Sequence, residues 1–265
     1  MTNYLIQYRR TRTPGFIAGI EPPAPPSPYP IENLEFHLDA NTLEYENGVA
    51  VSEWTELVSD NSPSQSTESM RPTFTTNVIN GYPVVRFEGG GEDEQELYTE
   101  SRMVSTYPGE MSVYMVIKIT SSTKGIMLTT TIDYDSEVIM GVGNSNFDNN
   151  GNNVGILYGG VGWYMDSSVG TSAVLIAFYF NNTMATKYIY KNGSSVYNNT
   201  GSTPSTGEDE GMCIGSGSGG RYFSGDIAEV MVYSENHQDS DYDDKRAEIE
   251  TYLNEKYDLW EIEEP

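Results

Sequence analysis

Apolar positions recur along the chain in short runs that are separated by turn-forming residues. The segment from Met111 to Ile119 shows the strand period most clearly, because every odd position is apolar while the even positions are mixed. We therefore expect that segment to bury one face. The same reading predicts strands at Leu34 to Leu38, Val84 to Phe87, Met111 to Ile119, Gly125 to Thr131, Glu137 to Val142, Val154 to Tyr158 and Val174 to Phe180.

A hairpin is predicted where two further runs flank Asn192-Gly193. Lys187 to Tyr190 and Ser195 to Tyr197 would be its strands, since Asn-Gly accepts the positive φ angles of a type I′ turn. Many short strands without a long helix before the C-terminus predict an all-β fold, in which two antiparallel sheets pack face to face.

The C-terminal region predicts a long strand followed by a helix. Ile227 to Tyr233 is almost wholly apolar, and strict alternation would place Ala228, Val230 and Val232 on one buried face. The helix would then begin with Ser240 as N-cap, with acidic side chains in its first turn. Its predicted apolar stripe consists of Ile249, Tyr252 and Leu253.

Six short motifs occur in an order that is typical of one fold family. They are Phe36 to Ala40, Val51 to Trp54, Asn80 to Gly89, Tyr190 to Gly193, Gly225 to Glu229 and Tyr252 to Tyr257. Their order resembles the laminin-G-like, or concanavalin A-like, jelly-roll domains, and the resemblance covers about residues 33 to 259. It implies a two-sheet jelly roll with a short C-terminal helix, of a kind common in lectins and in phage virion proteins. Because related domains often bind calcium at the rim, calcium remains a possible ligand here.

Residues 1 to 32 differ in composition from the rest. They hold seven of the 13 prolines, mostly between Glu21 and Pro30, and are predicted to form an extended arm. Such a segment cannot fold alone, so we expect it to bind a neighbouring subunit of an oligomer. Residues 260 to 265 would be an acidic tail. The predicted anchors of the arm are Tyr4, Leu5, Ile6, Arg9, Arg10, Arg12, Phe16 and Ile17.

Charge, apolar runs and cysteine content limit the partners and the chemistry that we expect for this chain. A net charge of −25 disfavours nucleic acid and anionic membranes as partners. No secretory signal is visible, and the longest apolar run, Ala173 to Phe180, is too short to span a membrane. Cys213, the one cysteine, lies between Met212 and Ile214 and is expected to be buried rather than reactive.

Aromatic residues around a glycine-rich segment predict a carbohydrate-binding surface. Tyr158, Trp163 and Tyr164 flank Gly159 to Gly162, where rings on a rim could pack against the C–H faces of a sugar. The alternative is that these rings belong to the core or to a subunit contact.

Acidic residues supply two weaker candidates. Glu92, Glu94 and Glu96 alternate, as in the laminarinase-like glycosidases, but Glu94 stands where that pattern has Asp, and an exposed acidic loop is favoured. Asn146 to Gly151 opens like a calcium loop, yet its twelfth position is Leu157, so a polar turn is favoured.

Nothing in the sequence assembles a nucleophilic triad. Neither His37, in the first strand, nor His237, before the helix, has a Ser or Cys elbow motif beside it. Asp226 could be a calcium ligand, but a bond to local backbone at a strand entrance is favoured. No catalytic residue and no cofactor other than calcium is therefore predicted.

Together these features predict a non-enzymatic structural or adhesion protein on the surface of a tailed-phage virion. The jelly roll would be a capsid decoration or tail-associated module, held to other subunits by residues 1 to 32, with a host surface glycan as a possible ligand. The alternatives are a free, extracellular lectin-like module and, third, a glycoside hydrolase.

Overall fold

The computed structural model describes residues 28–89, 94–101, 109–119, 125–129, 138–144, 149–158, 169–181, 186–200, 211–217 and 221–261. Within these ranges, thirteen strands form two antiparallel sheets, and the predicted all-β sandwich with a C-terminal helix is confirmed. The strands are β1 Leu34–Asp39, β2 Thr73–Ile79, β3 Tyr82–Phe87, β4 Leu97–Tyr98, β5 Glu110–Lys118, β6 Gly125–Thr129, β7 Val138–Asn144, β8 Asn149–Tyr158, β9 Val174–Asn181, β10 Thr186–Lys191, β11 Ser194–Thr200, β12 Cys213–Ile214 and β13 Gly225–Tyr233.

The larger sheet has eight strands and the smaller sheet has five. The larger runs in the order β11-β10-β9-β5-β13-β3-β2, and β1 also pairs with β13. One edge of β13 is shared, because Gly225–Ile227 pairs with β3 whereas the later residues pair with β1. The smaller sheet runs β4-β12-β6-β7-β8. Helix α1, Asp243–Tyr257, is the one α-helix in the described ranges, and short 3-10 turns occur at Ala40–Thr42, Glu68–Met70 and Ser240–Tyr242.

The main core lies between the two sheets. In the smaller sheet, one cross-strand row of directly paired residues supplies that core from all five strands. Removing such side chains from water is the main favourable contribution to folding. The row consists of Leu97, Ile214, Leu128, Met140 and Ile156.

A second apolar layer lies on the other side of the larger sheet, under α1. The odd positions of β5 face the main core as predicted, but Tyr114 and Val116 on its second face are buried as well. They pack in the layer that contains Ile249 and Leu253 of the helix. The sequence pattern indicated one buried face because it did not show that α1 covers the other.

A β-bulge corrects the predicted alternation in β13. Opposite β5, the pairing passes from Ile227 to Glu229 and omits Ala228. Val230 therefore faces the main core together with Ile227, whereas Ala228 lies in the layer under α1. The prediction that Ala228 shares a face with Val230 and Val232 was wrong, because one inserted residue moves all later side chains of the strand to the opposite face.

Two of the Asn-Gly pairs form turns that close hairpins of the larger sheet. Asn192 and Gly193 have φ angles of 48° and 73°, which confirms the predicted turn between β10 and β11. Asn80 and Gly81, at 44° and 79°, close the hairpin of β2 and β3. Positive φ at both central positions is the requirement of a type I′ turn.

The start of the helix differs from the prediction. Ser240 begins a 3-10 turn, α1 begins at Asp243, and its N-cap position is held by Tyr242 without a side-chain cap. Two acidic side chains, Asp243 and Asp244, stand in the first turn as expected. The predicted stripe of Ile249, Tyr252 and Leu253 is buried.

His237 is fully buried between the sheet and the helix, and it is linked to both. Its Nε2 donates to Glu235 Oε1 over 2.7 Å, and its Nδ1 lies 2.7 Å from the Tyr114 hydroxyl. Lys245 of α1 binds the same Glu235 carboxylate. Burial lowers the pKa of His237 from 6.5 to about 4, although Glu235 acts in the opposite direction.

The free energy of unfolding should therefore fall in mild acid. The folded protein keeps His237 neutral down to about pH 4, whereas the unfolded chain protonates its histidine near pH 6.5. Stability is then lost as the pH falls from about 6.5 to 4, by about 3 kcal/mol. Urea unfolding at a series of pH values measures this loss.

The chain's second histidine provides the matched control. His237→Gln should remove the dependence between pH 6.5 and 4, while His37→Gln should keep it, whatever either substitution does to absolute stability. An unchanged slope in His237→Gln would contradict this assignment.

Candidate functional site

An exposed row of polar and aromatic side chains extends the smaller sheet beyond β4. Ser64 bridges Glu53 on one side and Tyr98 of β4 on the other. Glu53 and Ser64 are exposed, and 38% of Tyr98 is accessible. Since its chain neighbour Leu97 faces the core, Tyr98 lies on the outer face of the sheet.

Two carboxylates precede that tyrosine on the segment that enters β4. Glu94 is exposed and accepts a 2.8 Å hydrogen bond from the Tyr222 hydroxyl. Glu96 is only 4% exposed, so the prediction of an exposed acidic loop was wrong for Glu96. Burial raises the pKa of the Tyr98 hydroxyl, and a hydrogen bond to Glu96 acts in the same direction. Glu94, Glu96, Tyr98 and Tyr222 are called the tyrosine-carboxylate patch below.

The patch combines two features that suit a polyol. Carboxylate oxygens accept hydrogen bonds from hydroxyl groups, and a half-exposed aromatic ring offers an apolar surface for C–H groups. Sequence reasoning considered Glu94 and Glu96 but missed Tyr98 and Tyr222, since no motif connects residues that are brought together by a sheet and a distant loop.

The predicted sugar-binding residues are only partly within the described chain. Tyr158 ends β8, at the edge opposite to β4, and its backbone pairs with Val138. Trp163 and Tyr164 lie outside the described residues, as does Glu92. The same holds for the predicted anchors of the arm, Tyr4, Leu5, Ile6, Arg9, Arg10, Arg12, Phe16 and Ile17.

The end of the arm segment is described, and it is attached to the domain. The Tyr29 hydroxyl lies 3.1 Å from His37 Nδ1, and its ring lies 4.6 Å from that of Tyr252. Pro30 accepts a 2.8 Å hydrogen bond from the Tyr233 hydroxyl, and Lys245 donates to the Glu32 carbonyl. Residues 29–33, called the strap below, therefore hold the chain against β13 and α1.

Asp226 has a different role from the predicted one. Instead of bonding local backbone, its buried carboxylate accepts two hydrogen bonds from the Arg86 guanidinium, at 2.6 and 3.0 Å. This bidentate pair joins β3 to β13. Among the described residues, no group of three or more His, Cys, Asp or Glu is arranged to hold a metal ion.

The calcium-loop and thiol predictions have different outcomes. Asn146 and Asp148 lie outside the described residues, whereas Gly151 is part of β8. Cys213 is buried, as predicted, and burial raises the pKa of its thiol well above the usual value. A thiol in that environment is a poor nucleophile.

The carboxylate of Glu229, in the bulge of β13, accepts four side-chain hydrogen bonds. One carboxylate oxygen accepts from His37 Nε2 at 2.8 Å and from the Tyr252 hydroxyl at 2.9 Å. The other accepts from Lys256 Nζ at 2.7 Å and from the Tyr257 hydroxyl at 2.8 Å. Burial raises the pKa of the Glu229 carboxyl, but Lys256 and His37 outweigh it and lower the pKa to about 2.

A second carboxylate completes this cluster. Asp39 Oδ2 lies 2.7 Å from Lys256 Nζ, and Asp39 is the direct cross-strand partner of Glu229. Burial raises the pKa of the Asp39 carboxyl, against the opposing effect of Lys256. His37, Asp39, Glu229 and Lys256 are together called the clamp, and each is at most 3% exposed. A signal for the clamp was present in the sequence, because all four residues belong to three of the six motifs, where charges interrupt apolar segments.

Comparison with known proteins places the fold but not a family. No family model matches the chain, and no curated protein matches it. Solved structures do match. Domain 4 of AbnA, a GH43 extracellular arabinanase from Geobacillus stearothermophilus, in complex with arabinotriose, has a TM-score of 0.56 at 16% identity, over 77% of this chain and 93% of that domain.

Two larger proteins share the fold as well. Trypanosoma rangeli sialidase in complex with sialic acid gives a TM-score of 0.53 at 12% identity, over 87% of this chain and 34% of the sialidase. The binding domain of botulinum neurotoxin DC, in complex with rat synaptotagmin II, gives 0.52 at 10% identity, over 83% and 52%. The chain thus spans about a third of the sialidase and half of the toxin domain. At these identities, the likeness establishes a jelly-roll-like β-sandwich.

The Arg86 and Asp226 pair yields a stability prediction. Arg86→Ala leaves the fully buried Asp226 carboxylate without its bidentate partner, which should lower the free energy of unfolding by about 3 kcal/mol. Urea denaturation checks the loss. Arg71→Ala is the control, because Arg71 binds only two backbone carbonyls and should cost less than half as much. Equal losses in both variants would contradict the special role of the pair.

Proposed function

We propose that the chain is a non-enzymatic binding module of the laminin-G-like type that recognises a carbohydrate. The observation that carries this proposal is the tyrosine-carboxylate patch, where the 38% exposed Tyr98 is hydrogen-bonded to the buried Glu96 and the Tyr222 hydroxyl donates to the exposed Glu94. A sugar hydroxyl would donate to the exposed Glu94 carboxylate while the sugar ring packs on Tyr98.

The fold comparison supports a binding role without defining the ligand. This chain covers 93% of domain 4 of the arabinanase, whose structure contains arabinotriose. The toxin binding domain contains a protein partner instead. Because one fold hosts many functions, the ligand class has to be argued from the site.

The setting we propose is the surface of a tailed-phage virion, as a capsid decoration or tail-associated module. Its basis is the proline-rich composition of residues 1 to 32, which suits attachment to other subunits better than independent folding. The strap supports this, since an arm fixed at Tyr29 and Pro30 would transmit its attachment directly to the domain. The alternative is a free extracellular lectin-like module.

None of the helices in the described part of the chain is long and apolar enough to cross a membrane. Calcium remains part of the proposal only as a possible rim ligand of the laminin-G-like type.

Tyr98→Ala should weaken binding to a glycan array or to immobilised polysaccharide by roughly tenfold or more, because the stacking surface is lost. Tyr188→Ala, on the larger sheet, is the matched control and should bind as the wild type does. Trp163→Ala tests the surface around Tyr158, Trp163 and Tyr164 in the same assay. If wild-type protein binds no glycan, or if Tyr98→Ala binds unchanged, the patch is not the site.

Removal of residues 1–27 tests the virion setting, because it keeps the strap intact. We expect the shortened protein to remain folded by circular dichroism and to bind glycan, but to be absent from purified particles. Incorporation at the wild-type level would argue for the free lectin-like module.

The enzymatic alternative rests on the same carboxylates. A glycosidase would release reducing sugar from β-glucans and would lose that activity in Glu94→Gln and Glu96→Gln. We expect no hydrolysis by the wild type, and activity that disappears in these variants would replace the binding proposal.

A further inference from the structure

The clamp brings an amine and two carboxyl groups together in a site that is closed to solvent. Lys256 comes from α1, Glu229 from the bulge of β13, and Asp39 from the end of β1. Lys256 Nζ lies 2.7 Å from Asp39 Oδ2 and 2.7 Å from Glu229 Oε2. The Lys256 side chain is 3% exposed, and both carboxylates are fully buried.

Aromatic rings surround the amine. Lys256 Nζ lies 5.6 Å from the ring centre of Tyr82, 5.4 Å from that of Tyr252 and 5.0 Å from that of Tyr257. On the far side of the clamp, Tyr29 packs against His37 and Tyr252. These rings exclude water from the amine and the carboxyl groups. An amide formed between them would therefore be protected from hydrolysis.

We propose that Lys256 and Asp39 condense into an intramolecular isopeptide bond, with Glu229 as the proton acceptor. The two reacting groups are already in contact because β1 and α1 hold them there. Little further entropy is therefore lost when they react. This inference goes beyond carbohydrate binding and does not depend on it.

The two carboxyl groups have distinct roles. Before the reaction Glu229 is ionised and fixed by four donors, so it is a poor electrophile that can accept a proton as the bond forms. Asp39 is buried opposite a second negative charge, and the raised pKa of its carboxyl favours the protonated form that can expel water. Asp39 Oδ1 is held by the Asn41 backbone N–H, and Oδ2 faces the amine.

The reaction balances without any further reagent. The Lys256 ammonium gives one proton to Glu229, and the neutral amine attacks Cγ of the protonated Asp39 carboxyl. The new C–N bond forms, the C–OH bond breaks, and the hydroxyl leaves as water with a second proton of the amine, relayed by Glu229. The products are a secondary amide, one water molecule and Glu229 in its protonated form.

The bond would replace buried ions by an amide, which is less costly to bury. It would also join the first strand to the last helix across 217 positions of the chain, so that nearly the whole sandwich lies inside one covalent loop. A load on the strap would then pass through the crosslink to the C-terminal helix without unfolding the sheets.

Intact-mass spectrometry of the full chain in denaturing solvent tests the proposal. The wild type should be lighter than its sequence mass by one water molecule, and trypsin should fail to cleave after Lys256. Peptide mapping should recover one branched peptide that contains both Asp39 and Lys256. If folded wild-type protein shows its full sequence mass, the proposal is overturned.

Two conservative variants separate the bond from general folding effects. Lys256→Arg keeps the positive charge but should show the full sequence mass. Glu229→Gln keeps the shape of the proton acceptor and should also show the full mass while Lys256 and Asp39 are both present. Loss of water in Lys256→Arg would assign the bond elsewhere, and loss of water in Glu229→Gln would remove Glu229 from the reaction.

Discussion

The contact between the buried Glu229 carboxylate and its four donors is the interaction that connects β1, β13 and α1. A charge at that depth is tolerated only when donors surround it, and here four donors come from β1 and α1. The β-bulge at Ala228 places Glu229 on the helix side of the sheet, and the helix in turn supplies Lys256. The clamp thereby holds α1 against the sheet, together with the second apolar layer that the helix covers.

The face under α1 and the outer face of the smaller sheet thus differ in structure. The face under α1 is fastened by the clamp, by the His237 contacts and by the strap, so it connects the arm, the first strand and the last helix. The smaller sheet lies on the opposite side of the main core and presents Tyr98 and Glu94 outward. Under the proposed function, attachment through the strap and glycan binding at Tyr98 would use opposite sides of the sandwich, so that neither would disturb the other.

Much of the fold was predictable from the sequence, because strand alternation and turn chemistry act locally. The hairpin at Asn192-Gly193 and the stripe of Ile249 and Leu253 required only neighbouring residues to be recognised. Strands β4 and β12, two residues each, were not predicted, since so short an element has no periodicity and exists through its pairing alone. The candidate site was less accessible, because Tyr98 and Tyr222 are 124 positions apart in the chain.

The sequence by itself determined the two-sheet class, the long apolar strand at 227–233 and the order of motifs that resembles laminin-G-like domains. Only the tertiary structure decided what the charges inside those motifs do. Asp226 was expected to bond local backbone, yet it pairs with Arg86 of another strand, and Lys256 meets Asp39 from the opposite end of the chain. Local pattern predicts which side chains leave water, whereas the partners of a buried charge are chosen by packing between distant segments.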